Sequence, residues 1–200
     1  MLKQSTVLLL LLCCSNTAWA DAKSECTYWR NTGADPITAC TAVIRDYPKA
    51  VAPYLQRGDA YSERSEYDLA IADFNKAIEL DLKKPDGYIV RGIAYKRKGD
   101  NDQAIADFNK AMELGHTSAN LYTLRGNVHA KKADYDRAIA DYTKAIQLDF
   151  NSKDAYTARG NAYERIDDKG RAIDDFRAAL KINPHAYDSR AALRRLGAIP

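Results

Sequence analysis

Residues 119–152 read ANLYTLRGNVHAKKADYDRAIADYTKAIQLDFNS, and the chain repeats this sentence with variations three more times. Gly126 has counterparts at Gly58, Gly92 and Gly160, each 34 residues from the next. Their surroundings repeat as well: LQRGDAY, IVRGIAY, TLRGNVH and TARGNAY. Ala70, Ala104, Ala138 and Ala172 keep the same step, as do Ala77, Ala111, Ala145 and Ala179. A period of this size marks one helical hairpin stacked on copies of itself. The expected fold is therefore all-α, a superhelical solenoid of antiparallel helix pairs. Such a chain is expected to hold a partner, not to catalyse.

With Val51 as position 1, the full units are 51–84, 85–118, 119–152 and 153–186. Each first helix carries a large residue at positions 4 and 11: Tyr54 and Tyr61, Tyr88 and Tyr95, Tyr122 and His129, Tyr156 and Tyr163. Helical spacing puts these on one face, with the glycine of position 8 between them. A glycine inside a helix costs up to about 1 kcal/mol against alanine, so four of them imply a steric demand. The expected cause is close approach of the second helix at its alanine of position 20. Asp68, Asp102 and Asp136 stand where N-caps of the second helices are expected, with Gly170 in the fourth unit. Phe74, Phe108, Tyr142 and Phe176 are expected to fill the space between hairpins. No hairpin of this kind buries its apolar face alone, so stacking supplies the stability.

These residues resemble the tetratricopeptide repeat (TPR) family over Val51 to Ala186. Two departures stand out. Position 7, often Leu in the family, is Arg57, Arg91, Arg125 and Arg159. Position 32, often Pro, is Leu82, His116 and Phe150, and only Pro184 conforms. Residues 21–50 read as a degenerate first hairpin, with Cys40 at position 24, and 187–200 as a capping helix and tail. In the cap, Arg190, Arg194 and Arg195 are expected to face outward. The resemblance also implies a concave ligand groove. Its lining starts with Leu55, Asp59, Ser62 and Glu63, then Ile89, Ile93, Lys96 and Arg97. It continues through Asn120, Thr123, Asn127 and Lys131 to Asp154, Thr157, Asn161, Glu164 and Arg165. Asn127 and Asn161 suit the backbone of an extended peptide, and equally suit a solvated surface. Lys96, Arg97 and Lys131 suit a carboxylate, but cations in a last helical turn also answer the helix dipole. The carboxylate clamp of chaperone-binding TPRs is missing, because no unit has Lys at position 5.

The repeated arginines have regular counterparts at position 23: Asp73, Asp107, Asp141 and Asp175. Either the arginines grip an acidic partner, or they form an internal Arg–Asp ladder. Four-for-four matching of opposite charge favours the ladder.

The first twenty residues follow another rule. Lys3 precedes an apolar run from Val7 to Cys14, and Ala18-Trp19-Ala20 ends in small residues. Residues 1–20 are expected to be a secretory signal cut before Asp21. Lipidation at Cys13 or Cys14 is the weaker alternative, since Leu12 and Cys13 precede them. No other apolar run is long enough to cross a bilayer. Export makes a disulfide between Cys26 and Cys40 the expectation, in a hairpin folded about Gly33. The destination expected is the bacterial periplasm.

Thirty basic and 27 acidic side chains give a net charge of +3, far from a nucleic-acid footprint. His116, His129 and His185 lie in different units, and His129 occupies an aromatic core slot. No metal-ligand spacing, phosphate loop or cofactor motif is present. The expected function is a non-catalytic scaffold that binds a protein or peptide segment, in assembly of an envelope complex. The alternatives are a self-associating structural module, or a non-catalytic subunit of an envelope enzyme.

Overall fold

In the computed structural model, residues 26–27 and 35–199 are described. The expected leader over 1–20 and the turn at Gly33 lie outside them. Among the described residues, ten helices carry the architecture: α1 (Pro36–Asp46), α2 (Val51–Glu63), α3 (Tyr67–Leu80), α4 (Pro85–Lys98), α5 (Asn101–Glu113), α6 (Ala119–Lys131), α7 (Tyr135–Leu148), α8 (Lys153–Arg165), α9 (Lys169–Ile182) and α10 (Tyr187–Arg195). No strand occurs among them. The chain divides into two compact units, Met1–Lys98 and Gly99–Pro200, so the second repeat gives one helix to each.

In the first unit, α2 packs on α3 and α3 on α4. Ala70, Ile71, Phe74 and Ala94 form its core, with Leu55, Tyr61, Val90 and Tyr95 packed around them. Ahead of it, Cys26 and Cys40 are joined, with a Cα–Cα distance of 4.7 Å. They are buried together with Ala39 and Val43. In the second unit, α7 packs between α6 and α8, and α9 between α8 and α10. Ala138, Tyr142 and Ala162 form one cluster, and Tyr163, Ala172, Phe176, Ala192 and Leu193 another. The alanines of positions 20 and 27 are wholly buried in every unit but the first, where Ala77 keeps 1% exposure.

The glycines of position 8 have a different neighbour from the one expected. A Cβ on Gly58 would sit 2.5 Å from the Phe74 ring, one on Gly126 2.7 Å from the Tyr142 ring, and one on Gly160 2.8 Å from the Phe176 ring. The demand comes from the aromatic of position 24, not from the alanine of position 20. A ring edge pressed against a helix backbone takes up the Cβ volume.

The turns also correct the sequence reading. The N-cap residues of the second helices are Glu66, Asp100, Asp134 and Asp168, each two residues before the position expected, Asp68, Asp102, Asp136 and Gly170. Asp134 accepts from the Arg137 amide and Asp168 from the Arg171 amide. Asp68, Asp102 and Asp136 lie inside the first turn, where a carboxylate still meets the positive helix end. Spacing alone misplaces the cap because two acidic positions compete within three residues. Position 15, just before each cap, adopts positive φ every time: Ser65 at 62°, Gly99 at 101°, Ala133 at 58° and Asp167 at 62°.

The turns that lack proline at position 32 rely on position 31 instead. The carboxylates of Asp81 and Asp149 accept from the amides of Lys83 and Asn151, two residues on. The second repeat uses Gly115 there, at φ +88°. Asx turns and a left-handed glycine close these corners without a fixed pyrrolidine ring.

Candidate functional site

Three rungs of the Arg–Asp pattern are formed within units. Arg57 grips Asp73 by two bonds of 2.8 and 2.7 Å, Arg125 grips Asp141 at 2.8 and 2.6 Å, and Arg159 grips Asp175 at 2.8 Å twice. The aspartates are buried, each at most 6% exposed. Arg91 belongs to the first unit and Asp107, also buried, to the second.

Each arginine has a further partner that sequence reasoning missed. Its remaining amino group reaches position 25 of the preceding hairpin: Arg57 to Thr41 at 2.9 Å, Arg91 to Asn75 at 2.6 Å, Arg125 to Asn109 at 2.6 Å and Arg159 to Thr143 at 2.9 Å. The tyrosine of position 4 lies under each guanidinium, at 6.0, 5.6, 5.7 and 5.8 Å from its centroid. In Arg57, Arg125 and Arg159 one planar cation thus ties its own second helix to the hairpin before it. The polar residue at position 25 of each hairpin that precedes one of these arginines, Thr41, Asn75, Asn109 and Thr143, is the signal that could have found this.

The first-helix face differs between units. In the first unit Ile89, Ile93 and Lys96 are half-buried, and Arg97 donates to Ser62 on α2 at 3.0 Å. In the second unit the Thr123 hydroxyl donates to Ala119 O, one turn back on its own helix. Thr157 bonds Lys153 O and exchanges a bond with buried Ser189 on α10 at 2.8 Å. Both threonines spend their hydroxyls on helix and cap packing. Asn127 is exposed, and its side-chain oxygen accepts from the Tyr142 hydroxyl at 2.8 Å. Asn161, Lys131 and Arg165 are exposed.

Between α6, α7, α8 and α10 of the second unit lies an open hollow of about 640 Å³. Asn127 and Ala130 line it from α6, Tyr135 and Tyr142 from α7. Ala158, Asn161, Ala162, Glu164 and Arg165 line it from α8, and Arg195 from α10. Arg195 does not project freely: it grips Glu164 at 2.9 and 2.6 Å. The Arg165 guanidinium lies 5.5 Å from the Tyr135 ring centroid, within reach of a cation–π contact. Sequence spacing names Asn127, Asn161, Glu164 and Arg165 on this face. It cannot give Tyr135 or Arg195, which come from a second helix and from the cap.

His129 is 7% exposed, its nitrogens 3.9 Å from Asp134 and 4.0 Å from Asp141. Burial lowers its pKa, and the two carboxylates oppose that only in part. Burial likewise pushes the Tyr142 hydroxyl well above its usual range, so it stays a neutral donor to Asn127. Among the described residues no group of three His, Cys, Asp or Glu side chains is arranged to hold a metal ion. No described helix is long and apolar enough to cross a membrane.

The repeat geometry has a matching family. TPR models match residues 58–99 and 92–133, and tetratricopeptide repeat models match 119–152 and 153–186. The chain belongs to the tetratricopeptide repeat family. Similar solved structures include the protein MamA, at 26% identity and TM-score 0.70 over 78% of this chain and 90% of that one. MamA residues 41-end from Desulfovibrio magneticus RS-1 superpose with TM-score 0.77 at 16% identity, over 84% of this chain and 97% of that one. A thermophilic TPR protein of Thermus thermophilus has TM-score 0.66 at 17% identity, over 90% and 100% of the two chains. No curated protein matches. The TPR solenoid is a protein-interaction architecture, and the chain is a scaffold of that kind.

Proposed function

We propose that this TPR chain is a non-catalytic scaffold of the bacterial cell envelope. It holds an extended segment of a partner protein against the α6 and α8 face of its second unit. The observation that carries this reading is the hollow of about 640 Å³, with exposed Asn161 and Arg165 fixed on one helix. A surface preset by packed helices costs little ordering on the receptor side. Export is supported by the leader-like residues 1–20 and by the bonded Cys26 and Cys40, since disulfides persist in oxidising compartments.

Site-specific photo-cross-linking tests the assignment. A photoreactive residue replaces Asn161 on the hollow or Gln147 on exposed α7 surface. Expression in the native cell should give one discrete adduct from position 161 and none from 147. Equal labelling from both positions, or none from 161, refutes the groove. Fractionation with a periplasmic marker tests the compartment, and retention of residues 1–20 in the mature protein refutes export.

A further inference from the structure

The hollow of the second unit carries a specificity of its own, given that its face is the binding face. Its walls between Tyr135 and α8 include the methyl groups of Ala130, Ala158 and Ala162. Alanines leave room where larger residues would close the space, and that room suits one bulky apolar side chain. The charges on its rim do not cancel. Glu164 is occupied by the bidentate grip of Arg195. Arg165 rests over the Tyr135 ring and meets no carboxylate among the described residues. A guanidinium whose only charged or aromatic neighbour is a ring has its N–H groups available to an anion. Beside it, the exposed Asn161 amide offers a donor and an acceptor together, which matches both groups of an internal peptide bond.

We propose that this hollow reads an internal, extended segment of a partner protein in which a bulky apolar residue precedes Asp or Glu. The apolar side chain enters between the alanines, the carboxylate meets Arg165, and Asn161 holds the backbone. The helix α10 belongs to the site. Arg195 neutralises Glu164, whose charge would otherwise repel the ligand carboxylate from the adjacent arginine.

The test titrates the mature chain with acetylated, amidated peptides of Gly-Ser background, followed by NMR at the Asn161 side-chain amide and the Ala162 methyl. The centres are Leu-Glu, Leu-Gln, Leu-Lys and Gly-Glu. A fifth peptide ends in Leu with a free carboxylate. Leu-Glu should perturb these signals, with Leu-Gln and Gly-Glu at least about tenfold weaker, or roughly 1.4 kcal/mol. Arg165→Gln should abolish the preference for Glu over Gln and keep that for Leu over Gly. Arg195→Gln should weaken Leu-Glu, and adding Glu164→Gln should restore it, an outcome that packing loss alone does not give. The proposal is overturned by equal binding of Leu-Gln or Leu-Lys, by shifts confined to other surfaces, or by no response to any peptide. Tighter binding of the free-carboxylate peptide overturns the internal-segment reading. If position 161 cross-links a partner in cells while the peptides do not discriminate, this specificity fails and the scaffold reading stands.

Discussion

Replacing Arg125 with Ala should loosen the second unit without touching the hollow. The side chain is 22% exposed and its partner Asp141 only 7%. Truncation removes two charge-assisted bonds to Asp141, the bond to Asn109 and the contact over Tyr122. It also leaves the Asp141 carboxylate buried without its cation. Breaking a buried pair from one side typically costs about 3–5 kcal/mol, and the partial exposure of Arg125 puts the expectation at the lower end, about 3. For a domain of this size each kcal/mol lowers Tm by about 2–4 °C, so the shift should be about 6–12 °C. Calorimetry of the wild type and Arg125→Ala reads it. Arg125→Lys should recover only part, because an ammonium cannot reproduce the fork. The double variant Arg125→Met with Asp141→Leu should be more stable than Arg125→Ala, since no charge is then stranded. Cross-linking from position 161 should survive in all of them. An unchanged Tm with lost cross-linking would falsify the ladder and make these arginines a partner-binding row.

Gly126→Ala should destabilise by about 1–3 kcal/mol in urea unfolding. The added Cβ falls 2.7 Å from the Tyr142 ring, which its hydroxyl bond to Asn127 holds in place. An increase in stability, as helix propensity alone predicts, refutes the steric account. Ala133→Gly should stabilise by about 0.5–1 kcal/mol in the same assay, because Ala133 sits at φ 58°. His129→Phe should flatten the loss of stability on acidification from pH 7.5 to 5.5. Burial lowers the folded pKa of His129, so the unfolded chain binds the proton first, near pH 6.5, and folding weakens as pH falls below that value. Equal slopes of Tm against pH for the two proteins refute it.

Much of the fold is legible in the chain because the period repeats every signal four times. Gly58, Gly92, Gly126 and Gly160 locate the first helices, and the buried alanines of positions 20 and 27 locate the second. The caps escape the sequence for a local reason. Asp134 and Asp136 are chemically alike, and only the left-handed residue Ala133 decides which one begins the helix. The partner of the central glycine escapes it for a different reason. Spacing along one helix cannot tell which residue of the opposing helix lies across from it.

The candidate site divides the same way. Positions on α8 follow from helical periodicity, so Asn161 and Arg165 can be assigned to one face from sequence. Their chemistry cannot. Whether Arg165 is free or paired depends on Tyr135 and Arg195, which lie 30 residues away on either side. Thr157 reads in sequence as equivalent to its neighbours, yet Ser189 of α10 takes its hydroxyl.

The sequence by itself determined the unit and its helices and favoured the matching of Arg to Asp, because the same residue types recur at the same positions of every repeat. Tertiary structure decided what differs between repeats: which rings press on which glycines, which threonine is consumed and which arginine is left uncompensated. Repetition writes the common packing many times over. A binding surface is made of exceptions, and each exception is settled by neighbours that only folding brings together.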